Sequence, residues 1–124
     1  MINRAALILI YKEPAIKWVN DADPYNDDPG ITEENIQDDQ TIFLIREEDA
    51  DTPDMVRQWL KLNYQTLFEN ELENWYTDEA LWPKKRTFAL FQKWFGYKCY
   101  SVIEDTVDSS IVADADADAD DTYH

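Results

Sequence analysis

Glycine, cysteine and histidine are scarce in this sequence, and each shortage excludes a class of site. Two glycines, Gly30 and Gly96, occur in 124 residues, so glycine-rich loops that cradle phosphate groups are excluded. The single cysteine, Cys99, excludes an internal disulfide framework and a multi-cysteine zinc site. The one histidine, His124, follows a repetitive acidic stretch where nothing would hold its ring. Histidine-based catalysis and zinc hydrolysis are therefore not expected.

Long hydrophobic runs are also missing. No stretch approaches the roughly 18–20 apolar residues that a membrane-spanning helix needs. The short apolar run at residues 5–10 is not followed by the small residues of a signal-peptide cleavage site. These absences, with the single cysteine, lead us to expect a cytoplasmic protein.

Basic residues are few and unevenly placed. The chain carries 27 acidic residues against 11 Lys and Arg, a formal net charge of −16. Residues 21–54 hold thirteen acids and one base, and residues 104–124 hold eight acids and no base. Residues 81–100 contain no acid and five bases. Such a surface repels phosphate groups over most of its area, which argues against direct binding to nucleic acid or an anionic membrane.

The remaining composition is that of a folded protein. Hydrophobic residues make up 44% of the chain and aromatic residues 14%, which is too apolar for a disordered polymer. An unbroken apolar run at residues 5–11 predicts a strand covered on both faces, and residues 41–46 predict a second strand. Glu13-Pro14 indicates the start of a short helix between them.

Two further helices and a strand follow. Thr52 and Pro53 are typical of a helix start, and apolar residues recur at three- and four-residue steps as far as Tyr76. Pro83 and Gly96 are predicted to flank a third helix, with Gly96 in the left-handed position after its end. Residues 97–107 predict a third strand at the edge of a sheet.

The expected fold is α/β or α+β. Its elements run in the order strand, helix, strand, helix, helix, strand, and this alternation predicts a small three-stranded, at least partly parallel sheet packed against helices. The expected globular domain spans residues 1–107. Residues 108–124 form a predicted disordered acidic tail, because the four Ala-Asp pairs bury little apolar area and their charges repel one another.

Several segments resemble a group of small uncharacterised bacterial proteins. They include Lys12-Glu13-Pro14 with Trp18, residues 41–45 and, most strongly, Trp75 to Pro83, followed by residues 86–88 and the aromatic residues up to Phe95. The resemblance covers roughly residues 3–105 and leaves out the Ala-Asp tail. It implies one domain, and it transfers no catalytic residue and no mechanism.

The acidic loop after the first helix is one candidate binding segment. It contains Asp21, Asp23, Asp27 and Asp28. Counted from Asp21, the calcium-loop pattern fails at the fifth, sixth and twelfth positions, so we predict a solvated acidic loop and no metal site. Weak binding of Ca²⁺ or Mg²⁺ by clustered carboxylates is the alternative.

The densest aromatic segment is a second candidate, here called the aromatic corner (residues 75–86). An aromatic and acidic pocket there could hold a cation, a basic peptide or a sugar. Alternatively, its tryptophans pin two helices together, Asp78 caps a turn, and the three adjacent bases neutralise the acidic surface. The candidate binding residues of this segment are Trp75, Tyr76, Asp78, Glu79, Trp82, Lys84 and Arg86.

Two functions are compatible with these patterns. The first is an acidic interaction module that binds a basic protein partner through its carboxylates. The second is a small-ligand-binding protein or enzyme whose site lies between the aromatic corner and the third strand, near Tyr97. No cofactor and no catalytic residue is predicted, and the oligomeric state is left open. Cys99 is expected to be a buried strand residue, with a reactive thiol as the alternative.

Overall fold

Residues 1–22 and 40–113 are described by a computed structural model of the chain. They form three strands, β1 (Arg4–Tyr11), β2 (Ile42–Arg46) and β3 (Phe95–Tyr100). They also form three α-helices, α1 (Glu13–Asp21), α2 (Pro53–Trp75) and α3 (Phe88–Trp94). Short 3-10 turns, Glu47–Ala50 and Glu79–Leu81, precede α2 and α3. The strands and helices follow one another in the order that the sequence predicts.

The strands pair in the order β2-β1-β3, and both pairs are antiparallel. Leu7 at the middle of β1 lies opposite Phe43 of β2 and opposite Cys99 of β3. The prediction of an at least partly parallel sheet is therefore wrong. The described residues form an α+β fold with an antiparallel sheet.

The position of β1 explains this difference. β2 and β3 run in the same direction, because each is antiparallel to β1, and the helical connection between them is that of a crossover. However, β1 separates these two strands, so they are not neighbours. The alternation of strands and helices indicates the direction of this connection but not which strand lies between its two ends. It also fails at α1, whose flanking strands β1 and β2 are antiparallel.

The hydrophobic core lies between one face of the sheet and the helices. Alternate residues of β1 (Ala5, Leu7, Leu9 and Tyr11) are buried on that face, as the two-residue period of a strand requires. They pack in one cluster with buried side chains of all three helices, among them Ala15, Val19, Leu60, Phe68, Leu72, Phe91 and Trp94. Phe68 is fully buried, and its ring lies within 5.4–5.8 Å of the rings of Phe91, Trp94 and Phe95.

The opposite face of the sheet is more open. Ile8 and Ile10 are only partly buried there, and Ile42 of β2 is 62% exposed. Within the described residues the helices pack against a single face, so the expectation that β1 is covered on both faces is not met there. The unbroken apolar run fits a central position instead, because β1 is flanked on both sides by other strands and Ile8 and Ile10 are only partly exposed.

The long helix α2 begins as its sequence predicts. The Oγ1 atom of Thr52 accepts a 3.2 Å hydrogen bond from the backbone N–H of Met55, and Pro53 occupies the first helical position. The helix has 23 residues and is therefore about 34 Å long at 1.5 Å per residue. This length carries the chain along the sheet and brings Trp75 beside Tyr11 at the end of β1.

The start and end of α3 differ from the prediction. It begins after Thr87, whose Oγ1 accepts a hydrogen bond from the N–H of Leu90, and Pro83 lies in the preceding connection. Gly96 is the second residue of β3 and does not adopt a positive φ angle. A helix here passes directly into a strand without the left-handed residue that glycine usually supplies. The predicted strand at residues 97–107 accordingly begins earlier and ends earlier, at Tyr100.

The chain after β3 lies beside the start of β1. The backbone N–H of Ile2 donates a 2.8 Å hydrogen bond to the carbonyl of Ile103, and the amino group of Met1 lies 2.8 Å from the Glu104 carboxylate. Residues 101–113 have no regular secondary structure, and nearly all of them are exposed. The domain boundary at residue 107 stays a prediction, and most of the predicted tail, residues 114–124, lies outside the described residues.

Candidate interaction surface

The aromatic corner is held together by its own indole groups. Trp82 Nε1 donates a 2.8 Å hydrogen bond to the carbonyl of Tyr76, and Trp18 Nε1 of α1 donates a 2.9 Å bond to the carbonyl of Leu81. Tyr76 packs edge-on against the Trp18 ring, with 5.2 Å between centroids, and its hydroxyl donates to the carbonyl of Val19. These indoles and the phenol therefore fasten α1 to the segment that follows α2.

The charged residues of the corner also make internal contacts. Arg86 lies over the Trp82 ring at 5.7 Å, donates a 2.9 Å hydrogen bond to the carbonyl of Pro83, and pairs with Glu69 of α2 at 3.4 Å. Asp78 accepts a 3.0 Å hydrogen bond from the N–H of Ala80 and so caps a 3-10 turn. This arrangement favours the interpretation in which the corner joins the helices.

The seven candidate binding residues of the aromatic corner lie close together, but they do not form one binding site. Trp82 is 9% exposed, and the Nε1 of Trp75 donates to Tyr11 inside the core. Glu79 and Lys84 are exposed and form no ion pair within the described residues. Tyr97, near which the ligand-site alternative placed its site, lies beside residues that start α2.

The acidic loop is described only at its start. Asp21 is the last residue of α1 and lies 3.8 Å from the Lys17 amino group, an exposed pair one helical turn apart. Asp23, Asp27 and Asp28 lie outside the described residues. Within residues 1–22 and 40–113, no three His, Cys, Asp or Glu side chains come together as metal ligands do.

A second acidic segment is fully described. We call it the acidic ridge: Glu47, Glu48, Asp49, Asp51 and Asp54. It runs through the 3-10 turn after β2 and into the first turn of α2, where negative charge is favourable beside the positive end of the helix dipole. The dipole of α2 therefore stabilises the negative charge of Asp54 in its first turn.

Most of the ridge is unpaired. Asp49 binds Arg46 at 3.0 and 3.4 Å. The carboxylates of Glu48, Asp51 and Asp54 are exposed and form no ion pair with any described residue. These charges are available to a partner in solution.

A shallow depression adjoins the ridge on its β3 side. Its volume is about 260 Å³, and Asp51, Val56, Tyr97 and Cys99 are among its lining residues. Tyr97 is 41% exposed, so an accessible aromatic residue and an unpaired acid line the same hollow. A long cationic side chain can place its apolar stem in such a hollow and its charge beside the carboxylate.

Cys99 lines this depression as a partly buried free thiol. Burial raises the pKa of Cys99 above its ordinary value, so the thiol stays protonated near neutral pH. A reactive cysteine requires the opposite shift. Cys99 is therefore a strand residue, as the sequence predicts, but it is partly buried where the sequence predicted a buried one.

One buried charged group was missed by the sequence analysis. Glu71 is 5% exposed and sits on the core side of α2. Burial raises the pKa of its carboxyl, and hydrogen bonds from Tyr11 and Asn74 partly oppose that rise. Its spacing was a usable signal, because Glu71 follows the buried Leu67 by four residues on the same helical face.

Two exposed apolar residues along α2 were also missed, Met55 and Leu62. Trp59, which the sequence assigned to the apolar face, lies between them at steps of four and three and is partly buried against the core. The same spacing that identified the core side of α2 would have found this second line of apolar residues.

None of the described helices is both long and apolar enough to cross a membrane. Comparison of the chain with family models, with curated proteins and with solved structures finds no match.

Proposed function

We propose that this chain is an acidic docking module that binds a basic protein partner. The observation that supports it best is the depression beside the acidic ridge, which is lined by the unpaired acid Asp51 and the exposed aromatic residue Tyr97. Lys and Arg side chains of a partner fit such a hollow, because the aromatic face attracts a cation and the carboxylate pairs with it.

The energetics require several contacts at once. One exposed ion pair contributes about 0.2–1 kcal/mol, and one exposed cation–π contact about 0.5–1 kcal/mol. Specific binding therefore needs the neighbouring carboxylates of Glu48 and Asp54 as well. The net charge of −16 adds long-range steering, which accelerates association with a cationic partner and weakens as salt screens it.

The proposed compartment is the cytoplasm. Cys99 is a free thiol, and reducing compartments keep single thiols in that state.

The test compares two variants of the full chain that carry the same net charge. The ridge variant combines Glu48→Gln, Asp51→Asn and Asp54→Asn. The control combines Glu13→Gln, Glu73→Gln and Asp108→Asn, three exposed acids on other surfaces. Immobilised wild-type protein is expected to retain a basic protein from lysate at low salt and to release it at about 0.5 M salt, where the Debye length falls well below 8 Å.

The purified retained protein is then titrated against each variant. The ridge variant is expected to lose at least about tenfold in affinity, close to 1.4 kcal/mol, whereas the control loses less than about threefold. Tyr97→Ala should weaken binding more than Tyr97→Phe, which keeps the aromatic face. Equal losses in the ridge and control variants, or binding that salt does not weaken, would contradict the proposal.

A further inference from the structure

The outer edge of β2 carries little protection against pairing. Within the described residues β1 is the one strand that pairs with β2, so the peptide groups on the other side of β2 have no strand partner there. Edge strands are usually protected by lysine, proline or a bulge. Residues 42–45 of β2 are all apolar, and its one charge, Arg46, is held by Asp49.

A cleft of about 560 Å³ adjoins β2. Leu44 and Ile45 line it, together with Arg46 and its Cα partner Arg4 of β1. It therefore lies at the end of the sheet from which β2 leads toward α2. Its other wall is α2.

The α2 wall of the cleft carries three apolar residues beside the polar Gln58 and Asn63. The apolar residues are Met55, Trp59 and Leu62, one helical turn after another. Leu62 is 77% exposed, whereas Trp59 is partly buried against the core. On the strand side Leu44 is 50% exposed, so exposed apolar residues of β2 and α2 border the same cleft.

We propose that this side is the interface of a homodimer. Two copies of β2 pair antiparallel along their free edges and join the two sheets into one of six strands. The two-fold axis of such a pair is perpendicular to the sheet, so both copies of α2 lie on the same face. The helices then approach each other through Met55, Trp59 and Leu62, and each fills the cleft of the other.

A second copy suits this surface better than a basic partner. A basic partner is drawn toward the unpaired carboxylates of the ridge, and the cleft itself is lined by Arg4 and Arg46. An antiparallel strand edge is complementary to a copy of itself. A stable interface also buries about 800 Å² of accessible surface on each partner. A strand edge of five residues supplies less than this, so the exposed apolar residues of α2 are needed as well.

The dimer has a characteristic salt dependence. Two chains of net charge −16 repel each other, while the interface itself is apolar and hydrogen-bonded. Salt screens the repulsion and strengthens apolar burial, so the dimer should tighten as salt rises. Binding of a basic protein should weaken with salt, and the two proposals can therefore fail independently.

Sedimentation velocity of the full chain tests the dimer, at about 1–500 µM protein, in about 0.1 M and about 1 M NaCl. The expected result is a monomer–dimer equilibrium with the lower dissociation constant at high salt. Leu62→Glu and Leu44→Lys are each expected to raise that constant by at least about tenfold. The two variants change the net charge in opposite directions, so a shared loss cannot come from net charge.

Gln92→Glu is the matched control. It adds the same charge as Leu62→Glu, at an exposed position of α3. This helix leads into β3, which lies at the opposite edge of the sheet from β2. It should leave the dimer unchanged, and far-UV circular dichroism should show that all three variants are folded. A wild-type protein that stays monomeric at the highest concentration in both salts overturns the proposal, as does a dimer that neither interface variant weakens.

Discussion

The hydroxyl of Tyr11 donates a 2.9 Å hydrogen bond to Oε2 of Glu71 in the core. The same hydroxyl accepts a 3.0 Å hydrogen bond from Nε1 of Trp75, one turn further along α2. Burial raises the pKa of Tyr11 far above its ordinary value, and the negative charge of Glu71 raises it further. The hydroxyl therefore stays protonated and remains a hydrogen-bond donor. The central strand and the long helix are thus joined by polar contacts as well as apolar packing.

Tyr11→Phe is expected to destabilise the protein by about 1–3 kcal/mol, because it leaves a buried carboxylate and an indole N–H without their shared partner. Urea denaturation measures the change in the free energy of unfolding. Tyr100→Phe is the control, since that ring is about half exposed and has no described hydrogen bond. A loss below about 0.5 kcal/mol for Tyr11→Phe would show that the hydrogen bond contributes little.

Glu71→Gln is expected to change how stability depends on pH. Burial holds the folded pKa of Glu71 above its ordinary value of 4.5. The folded state therefore binds this proton more tightly than the unfolded state does. The stability that results is fully present below the unfolded pKa and is lost as pH rises through the folded pKa. Glutamine, which mimics the protonated acid, removes that loss.

The measurement is the difference in unfolding free energy between Glu71→Gln and wild type from about pH 4 to about pH 7. This difference should move in favour of the variant as pH rises, by no more than about 1.4 kcal/mol per pH unit. Glu73→Gln, an exposed acid two residues away, should show no such trend. A flat difference for Glu71→Gln would mean that the folded pKa is not raised.

Local signals in the sequence predicted much of the fold. Thr52 and Pro53 fix the start of α2 through a hydrogen bond and a backbone angle that involve only neighbouring residues. The strand at residues 41–46 and the order of elements follow from similarly local patterns. Such signals are reliable because the interactions behind them are formed within a few residues.

Strand direction and the role of Gly96 could not be predicted in the same way. Which strand fills the space between β2 and β3 depends on contacts between distant residues, such as Leu7 with Phe43 and Cys99. Gly96 reads as a helix end because glycine often takes a positive φ angle there, yet it lies in β3, with its Cα partner at Ile10 of β1. Tertiary pairing decided both outcomes.

The candidate surfaces were predicted unevenly. The acids of the ridge belong to the acidic region at residues 21–54 that the charge pattern singled out. The depression beside Tyr97 could not be foreseen, because it joins β3 to the start of α2, about 45 residues apart in sequence. The aromatic corner was conspicuous in the sequence because aromatic residues are dense there. They are dense because their rings pack two helices and a turn together.

Trp82→Ala is expected to destabilise the protein by about 3–5 kcal/mol, because the ring is buried and its removal leaves a cavity. The change also removes the hydrogen bond to the Tyr76 carbonyl and the surface on which Arg86 lies. Lys84→Ala, two residues away and exposed, should change stability by less than about 0.5 kcal/mol. Thermal or urea unfolding compares the two, and a mild effect of Trp82→Ala would argue that the corner is not a structural joint.

The Cys99 thiol is expected to react slowly in the folded protein. Burial raises its pKa, which lowers the thiolate fraction, and its position at the edge of the depression restricts access. Reaction with a disulfide reagent near pH 7.5 should therefore be about tenfold or more slower in native buffer than in urea. Because Cys99 lines the same hollow as Asp51, a saturating basic partner should slow the reaction further. Rapid native labelling that a bound partner does not affect would count against both the protonated thiol and the docking site beside it.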